Sequence, residues 1–528
     1  MAAPLSQTPP PAQPAPDAGR IRIGQPRGRW IIAATVLGSS MAFLDSTVVN
    51  VALPTIGKEL NTTLAGLQWV VTSYTLTLAG LILLGGALGD RFGRRRVFLI
   101  GVTWFAITSV LCGVAPNIEV LIAARALQGI GGALLTPGSL AIIQSVFSPD
   151  DRPRAIGAWS GLGGVAGAIG PFLGGWIVGS IGWRWIFLIN LPVAAAVLAV
   201  SVKHVPESRD PTAQGRFDIA GAVLAALALA GITDGLIEAS SGTLLQSLVP
   251  ALAGLAAGVA FVLLERHRGR HPERIPPMLP LGIFSSRQFT AINVITFIVY
   301  GAMGAVFFLL VLTLQVVAGF SPLEAGISLL PSTVAMLLLS SRAGALAQRF
   351  GPRWLMTGGL LAAAAGLALL TRIGAHTSYV ADVLPAVLLF GLGLSMTVAP
   401  LTATVLASAD ERHAGVASGV NNATARAAGL LAVAGLPALV GLSGTALHSS
   451  GSLEQGFHEA MLICSGLMVL AAAGSALLID NNVLRSPSGE ELPEPECLTN
   501  CAVGAPPLEP RPVEPRPRMH AAPGADSH

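Results

Sequence analysis

Charged side chains are scarce in this chain. Of its 528 residues only 11% are charged, 52% are hydrophobic, and the mean hydropathy is +0.68. Soluble domains carry about 25% charged residues, so this chain has too few to cover a globule with hydrated surface. Its net charge of +3 also provides no field for binding nucleic-acid phosphates. The composition argues against a soluble enzyme and against a nucleic-acid partner, and it indicates a chain that faces lipid.

Lysine is almost missing, and this bears on the energy source. The two lysines, Lys58 and Lys203, are followed by Glu59 and His204, whereas a P-loop needs Gly-Lys-Ser/Thr. The four cysteines form neither a disulfide framework nor a zinc motif, and no His pair, Ser-His-Asp set or carboxylate cluster is readable. We therefore expect no ATP site, no metal, no cofactor and no enzymatic activity.

Long apolar runs are what the chain has instead. About 20 apolar residues span a bilayer core as a helix, and such runs recur fourteen times. We place them near residues 30–53, 66–88, 97–115, 119–145, 155–180, 184–203, 217–239, 246–264, 289–317, 325–347, 354–374, 380–406, 413–440 and 457–480. The sequence predicts an all-α polytopic membrane protein.

Basic residues lie on one side of this arrangement. With the N-terminus inside, the inner segments hold 22 Lys and Arg before the far tail and the outer segments hold three, as the enrichment of basic residues in cytoplasmic loops requires. Both termini are then cytoplasmic. Proline-rich composition at the two ends predicts disordered tails at residues 1–29 and 481–528.

An internal repeat divides the apolar region. Residues 86–96 match residues 344–354 at seven of eleven positions, and Ser148, Asp150, Asp151 and Arg152 are echoed 260 residues later. This repeat implies two six-helix halves in the same orientation, with two inserted helices between them. Such parallel halves are typical of transporters whose site lies between them. The predicted units are an N-terminal half at 30–203, the insertion at 204–288 and a C-terminal half at 289–480.

Four stretches carry a family resemblance. The loop at 86–96 resembles the G-x-L-x-D-R-x-G-R-R signature of the major facilitator superfamily, and residues 44–54, 125–131 and 157–175 resemble motifs of helices 1, 4 and 5 in its fourteen-helix drug:proton antiporter branch, the EmrB/QacA type. The resemblance covers roughly residues 30–480. It implies the major facilitator fold, with fourteen transmembrane helices as two six-helix halves plus two inserted helices.

Two charged residues lie within apolar runs. Asp45 is about 15 residues into the first helix, past the midplane at 1.5 Å per residue, where a carboxylate is expensive unless it is paired, hydrated or protonated. Arg125 lies several residues deep in the fourth helix. The resemblance implies a role for both in proton coupling. An Asp held for structure alone, and an arginine that snorkels to the interface, stay open as alternatives.

Two motifs suggest conformational change. On the turn after the second helix, the resemblance implies a gating latch made by Asp90, Gly93 and Arg94; the alternative is a plain positive-inside loop. In the fifth helix it implies an antiporter motif that prevents leak, with the alternative of an ordinary packing interface. The residues of this motif are Gly157, Gly170, Pro171, Gly174 and Gly175.

Polar residues in later helices are candidates for substrate binding. Arg426, with Asn421 and Asn422 within two turns, could bind an anionic or hydroxyl-rich substrate or pair with Asp45, and structural pairing is equally supported. Gln128 in the fourth helix is a further candidate. Asp234 and Glu238 are interpreted as residues at a helix boundary. The expected cavity lies between helices 1, 2, 4, 5 and helices 9, 10, 12, 13.

The function expected from these features is proton-driven antiport of an amphipathic small molecule, a drug or antibiotic, out of a bacterium by alternating access. The partners are protons, this substrate and the lipid bilayer, and a neutral or weakly charged compound is favoured over a dication. The protein is expected in the bacterial plasma (inner) membrane as a monomer, although the sequence does not fix the oligomeric state. The alternatives are a dedicated metabolite or lipid exporter, an uptake symporter, or a receptor that kept the fold without transport.

Overall fold

The computed structural model describes residues 21–209, 218–240, 242–270, 277–408, 414–442 and 449–484. Most of both predicted tails lies outside these ranges, and so does the second copy of the Asp-Arg loop, residues 410–412. Within the described residues the fold is all-helical, and its one β-bridge joins Ile21 and Phe147. The prediction of an all-α chain is confirmed.

Fourteen long helices account for nearly all of the described residues. In chain order, α1 to α14 are Pro26–Glu59, Leu64–Phe92, Arg94–Gly113, Ile118–Val146, Arg152–Ser180, Trp185–His204, Ile219–Glu238, Leu244–Arg270, Arg287–Val316, Pro322–Phe350, Pro352–Arg372, Tyr379–Ala407, Ala414–Leu439 and Ser450–Leu478. Short breaks divide α6 at Ile189 and α10 at Leu329. Thirteen of these helices are long and apolar enough to cross a membrane. The other, α13, is 26 residues long, and its polar side chains lower its hydropathy.

The sequence repeat corresponds to a repeated turn. Gly93 joins α2 to α3 with φ 113°, and Gly351 joins α10 to α11 with φ 90°, backbone angles that residues with a Cβ rarely adopt. The segment after α6 covers the first turn, where Glu207 lies against Gly93, and the segment after α14 covers the second, where Asn481 lies against Gly351. We call the end of the bundle that carries these two turns the turn side, and the opposite end the far side.

Among the described residues, the side-chain hydrogen bonds that join the first six and the last six helices lie at the far side. Gln68 at the start of α2 donates hydrogen bonds of 2.7 and 3.0 Å to the carbonyls of Val433 and Ala434 near the end of α13. Gln315 at the end of α9 donates a 2.9 Å bond to the carbonyl of Val51 in α1. Far-side helix ends are therefore joined by hydrogen bonds as well as by packing.

Helices α7 and α8 pack as a pair through small residues. An added Cβ at Gly231 or Gly235 would clash with the α8 backbone, and Ser247 donates a 2.8 Å bond to the carbonyl of Gly235. From this pair, α7 also reaches Gly80 of α2 and Gly435 of α13. The pair thus lies outside the junction of α2 and α13.

Candidate functional site

Asp45 and Arg125 form an ion pair inside the first six helices. The Asp45 carboxylate on α1 accepts a hydrogen bond from Nη1 of Arg125 on α4, and their side chains are 0% and 1% exposed. Without water to screen it, the attraction between the two charges is much stronger than at a surface. Removing one partner would leave the other charge buried and uncompensated, which is costly.

Gln128 extends the pair into a network that spans four helices. Its Nε2 donates to Asp45 Oδ1 at 3.0 Å and to Ser109 Oγ of α3 at 2.9 Å, while its Oε1 accepts from Arg125 Nη1 at 2.7 Å. Asn190 of α6 donates to the same Ser109 oxygen at 3.3 Å. A change at the Asp45 carboxylate can therefore reach α1, α3, α4 and α6.

Arg125 has partners besides the carboxylate. Its Nε donates a 3.1 Å bond to the carbonyl of Val70, and its guanidinium carbon lies 4.3 Å from the ring centre of Tyr74 and 5.8 Å from that of Phe187. Aromatic faces at these distances attract cations. The guanidinium would thus remain stabilised if Asp45 became neutral.

Two glycines allow the pair to form. An added Cβ at Gly129 would overlap Thr77 and the backbone of Tyr74 in α2, and one at Gly131 would lie 2.8 Å from the backbone nitrogen of Phe105 in α3. Close approach of α4 to both neighbours brings Arg125 beneath the Tyr74 ring.

A cavity of about 670 Å³ lies between the two sets of six helices, a volume in the usual range for small-molecule sites. Six helices line it: α1, α2, α5, α9, α10 and α13. Its apolar wall includes Phe43, Trp159, Met303, Phe307 and Met336, and its polar groups include Ser46, Thr47, Asn50, Thr72, Thr75, Tyr300 and Thr333. The expected contribution of α4 and α12 is absent from this lining.

Of the four residues expected to bind substrate, only Arg426 lines the cavity. Gln128 belongs to the buried network. Asn421 accepts a 2.9 Å bond from Thr296, which joins α13 to α9, and Asn422 donates to the carbonyl of Ser418 in its own helix. Arg426 does not pair with Asp45, because Asp45 is paired with Arg125.

The motif glycines of α5 are closely packed near its far end and unpacked at its turn-side end. Added Cβ atoms at Gly170 and Gly174 would clash with Thr47 and Val48 of α1, and one at Gly175 would clash with Pro322 of α10. At the turn side, by contrast, an added Cβ at Gly157 would meet no described atom within 4 Å. The far half of the predicted antiporter motif is packed, and its turn-side half is open.

Within the packed region, between Gly170 and Gly174, Pro171 has two roles. It lines the cavity, and its carbonyl lies against Gly326 at the start of α10, where an added Cβ would overlap it. At this proline the packing of α5 against α10 therefore adjoins the cavity.

Asp90 is engaged within its own turn. Its Oδ1 lies 2.8 Å from the guanidinium of Arg94. Glu207, after α6, accepts backbone hydrogen bonds from Arg95 and Arg96 at 3.1 and 3.2 Å and so caps the start of α3. In this structure the charged residues for which the resemblance implies gating, Asp90 and Arg94, are thus paired with each other.

Several residues of the site were not singled out from the sequence: Gln68, Tyr74, Ser109, Asn190 and Glu207. The sequence signal that could have identified them is a single amide or hydroxyl side chain inside an apolar run, because such a group needs a buried hydrogen-bond partner. Gln68 and Asn190 are such cases. Glu207 follows α6 in a linker, and no sequence signal identified it as a cap.

Comparisons with known proteins agree with this architecture. The family model described as Major Facilitator Superfamily matches residues 35–434. The puromycin resistance protein pur8 of Streptomyces alboniger is 34% identical over 471 residues, which cover 86% of this chain and 92% of that protein. The tetracenomycin C resistance and export protein of Streptomyces glaucescens is 35% identical over 419 residues, covering 78% and 76%.

A solved structure shows the same fold. It is a bacterial homologue of the human lysosomal transporter Spinster, with a TM-score of 0.60 at 18% identity, covering 88% of this chain and 100% of that one. The predicted fold and the expectation that the protein is not an enzyme are confirmed. The chain belongs to the Major Facilitator Superfamily, in the branch that holds drug and antibiotic resistance proteins, and it is a multi-pass membrane transporter.

Proposed function

We propose that this protein exports an amphipathic drug or antibiotic across the bacterial plasma membrane in exchange for protons, by alternating access. The activities for which its relatives are named, puromycin resistance and tetracenomycin C resistance and export, support the substrate class. The cavity supports it as well, since it has a drug-sized volume and a wall rich in aromatic and methionine side chains. The observation that carries the proposal is the buried Asp45–Arg125 pair directly behind that wall.

Residues 30–203 and 289–480 act in this proposal as two halves that move against each other, with 204–288 as the insertion. The turn side is cytoplasmic, because the basic residues concentrate there as they do in cytoplasmic loops, and both termini are then inside. Far-side hydrogen bonds from Gln68 and Gln315 close the outer end, while at the inner end a Cβ added at Gly157 of α5 would meet no described atom within 4 Å. The described conformation is accordingly inward-open.

Proton coupling arises at Asp45. A proton reaching its carboxylate would neutralise the charge and break the ion pair, while Arg125 would keep Val70, Gln128 and two aromatic rings. The next two residues of α1, Ser46 and Thr47, line the cavity. Protonation and substrate binding thus act on the same turn of helix, and this position suits the coupling of two ligands through one conformational change.

The turn at Asp90 serves as the inner gate in the same scheme. In the inward-open state Asp90 stays with Arg94 and the turn is capped by Glu207. When the inner end closes, Asp90 forms contacts with the second half, and these are released again on opening. Gly93 is required because the turn uses φ 113°.

The test is efflux in inverted membrane vesicles with a panel of amphipathic antibiotics and dyes, with and without an uncoupler. We expect uptake into inverted vesicles that collapses when the proton gradient is removed. Uptake that persists undiminished after uncoupling would refute proton drive. Movement in the opposite direction would support the symporter alternative, and binding without movement would support the receptor alternative.

A further inference from the structure

We infer that Arg426 makes the central cavity a site for organic anions, so that the preferred substrates carry an ionised acidic group on a flat hydrophobic body. This inference rests on the proposed export function and narrows its substrate class. It revises the expectation of a neutral or weakly charged compound. The observation behind it is one unmatched positive charge at the centre of the transport path.

Arg426 is the one charged residue among the described residues that line the cavity. None of the described carboxylates lies within 4.0 Å of its guanidinium, and the carboxylate of Asp45 is paired with Arg125. Its Nε is buried without a hydrogen-bond partner among the described atoms. The guanidinium therefore has donors available for a ligand.

A lone cation at this depth is expensive to keep. Intramembrane arginines face a cavity or pair with another group, and they commonly mark a substrate path. Arg426 cannot lower this cost by losing its proton, because a guanidinium does not deprotonate in proteins. A ligand carboxylate or acidic phenolate would supply the missing charge, and the planar fork of the guanidinium can bind a carboxylate through two parallel hydrogen bonds.

The surroundings of Arg426 favour one kind of anion over small inorganic ions. Tyr300 and Thr75 offer hydroxyl groups along the same cavity, and Phe43, Trp159 and Phe307 provide aromatic faces. Flat ring systems stack on such faces, whereas inorganic phosphate or chloride would gain nothing from them. The combination fits an aromatic or polycyclic acid.

A matched pair of probes tests this directly: anthraquinone-2-carboxylate and the neutral anthraquinone-2-carboxamide. Their binding to the purified transporter is measured by quenching of tryptophan fluorescence, to which Trp159 of the cavity contributes. Charge-assisted hydrogen bonds are strong enough to predict roughly ten- to hundredfold tighter binding of the carboxylate to wild type. In Arg426→Gln this preference should fall to about one while the carboxamide affinity is kept, and Arg426→Lys should keep part of it.

Arg342→Gln, at an exposed arginine of α10 outside this cavity, should leave the preference unchanged. Retained binding of the carboxamide shows that each variant is folded. The ratio of carboxylate to carboxamide affinity in wild type tests the predicted anion preference even if both Arg426 variants fail to fold. Equal binding of the two probes to wild type, or an undiminished preference in Arg426→Gln, would overturn the inference. If the carboxamide is still exported in either case, the proposed export function survives.

Discussion

Replacing Arg125 by methionine should destabilise the protein in a pH-dependent way. The substitution keeps an apolar chain of similar length but leaves the Asp45 carboxylate buried, with Gln128 as its one remaining hydrogen-bond donor among the described residues. An unpaired buried charge of this kind costs about 3–5 kcal/mol. The carboxyl group can instead take up a proton, which for an ordinary aspartic acid of pKa about 3.9 costs about 4 kcal/mol at pH 7 and about 1.5 kcal/mol at pH 5.

The loss in unfolding free energy should therefore be near 4 kcal/mol at pH 7 and shrink by about 2.7 kcal/mol at pH 5. Denaturant titration in mixed micelles, followed by tryptophan fluorescence at both pH values, measures it. Arg342→Met is the matched control, because its side chain is exposed and its effect should stay within about 0.5 kcal/mol.

The double variant Asp45→Asn/Arg125→Met should recover most of the loss, since removing both charges of a buried pair is often nearly neutral. A single variant as stable as wild type at pH 7 would refute the reasoning. A double variant less stable than Arg125→Met alone would refute it equally.

Two further predictions concern the motion of the halves. Gly161→Leu on the open face of α5 has space in this conformation and lies outside the cavity lining. Substrate affinity should therefore be kept, while the transport rate falls at least about tenfold because the inner end cannot close. The control Gly179→Leu, equally unobstructed at the far end, should transport normally, and equal transport rates in the two variants would contradict this closure. Gln68→Leu removes two far-side hydrogen bonds worth about 2 kcal/mol together. Spin labels at positions 61 and 441 should then show a larger outward-open population than in the unsubstituted chain. An unchanged distribution of distances between the labels would count against far-side closure by Gln68.

Much of the fold follows from the sequence because its signals are local. A run of about 20 apolar residues spans a bilayer wherever it occurs, and the repeated Arg-Phe-Gly sequence at 91–93 and 349–351 marks two turns that both need a positive φ at glycine. The helix ends extend beyond the apolar runs, as in α1, which begins at Pro26 and ends at Glu59. Polar residues in the first and last turns can remain helical at the membrane interface, so hydropathy underestimates helix length.

The candidate site was less predictable because it depends on contacts between helices. Depth alone singled out Asp45 and Arg125, but their pairing depends on how closely α4 packs against α2 and α3, which is set by Gly129 and Gly131. Arg426 was expected either to bind substrate or to pair with Asp45. The sequence could not choose between these roles, because the choice rests on which arginine faces α1 and which faces the cavity.

Proton flux through the Asp45→Asn variant tests the central claim most directly. In proteoliposomes with an imposed pH gradient, the wild type should accumulate substrate against its concentration while an internal pH dye reports matching proton movement. The variant should still bind substrate and exchange it at equal concentrations on both sides, but should neither accumulate it nor move protons. Gradient-driven accumulation by Asp45→Asn at the wild-type rate would contradict the account.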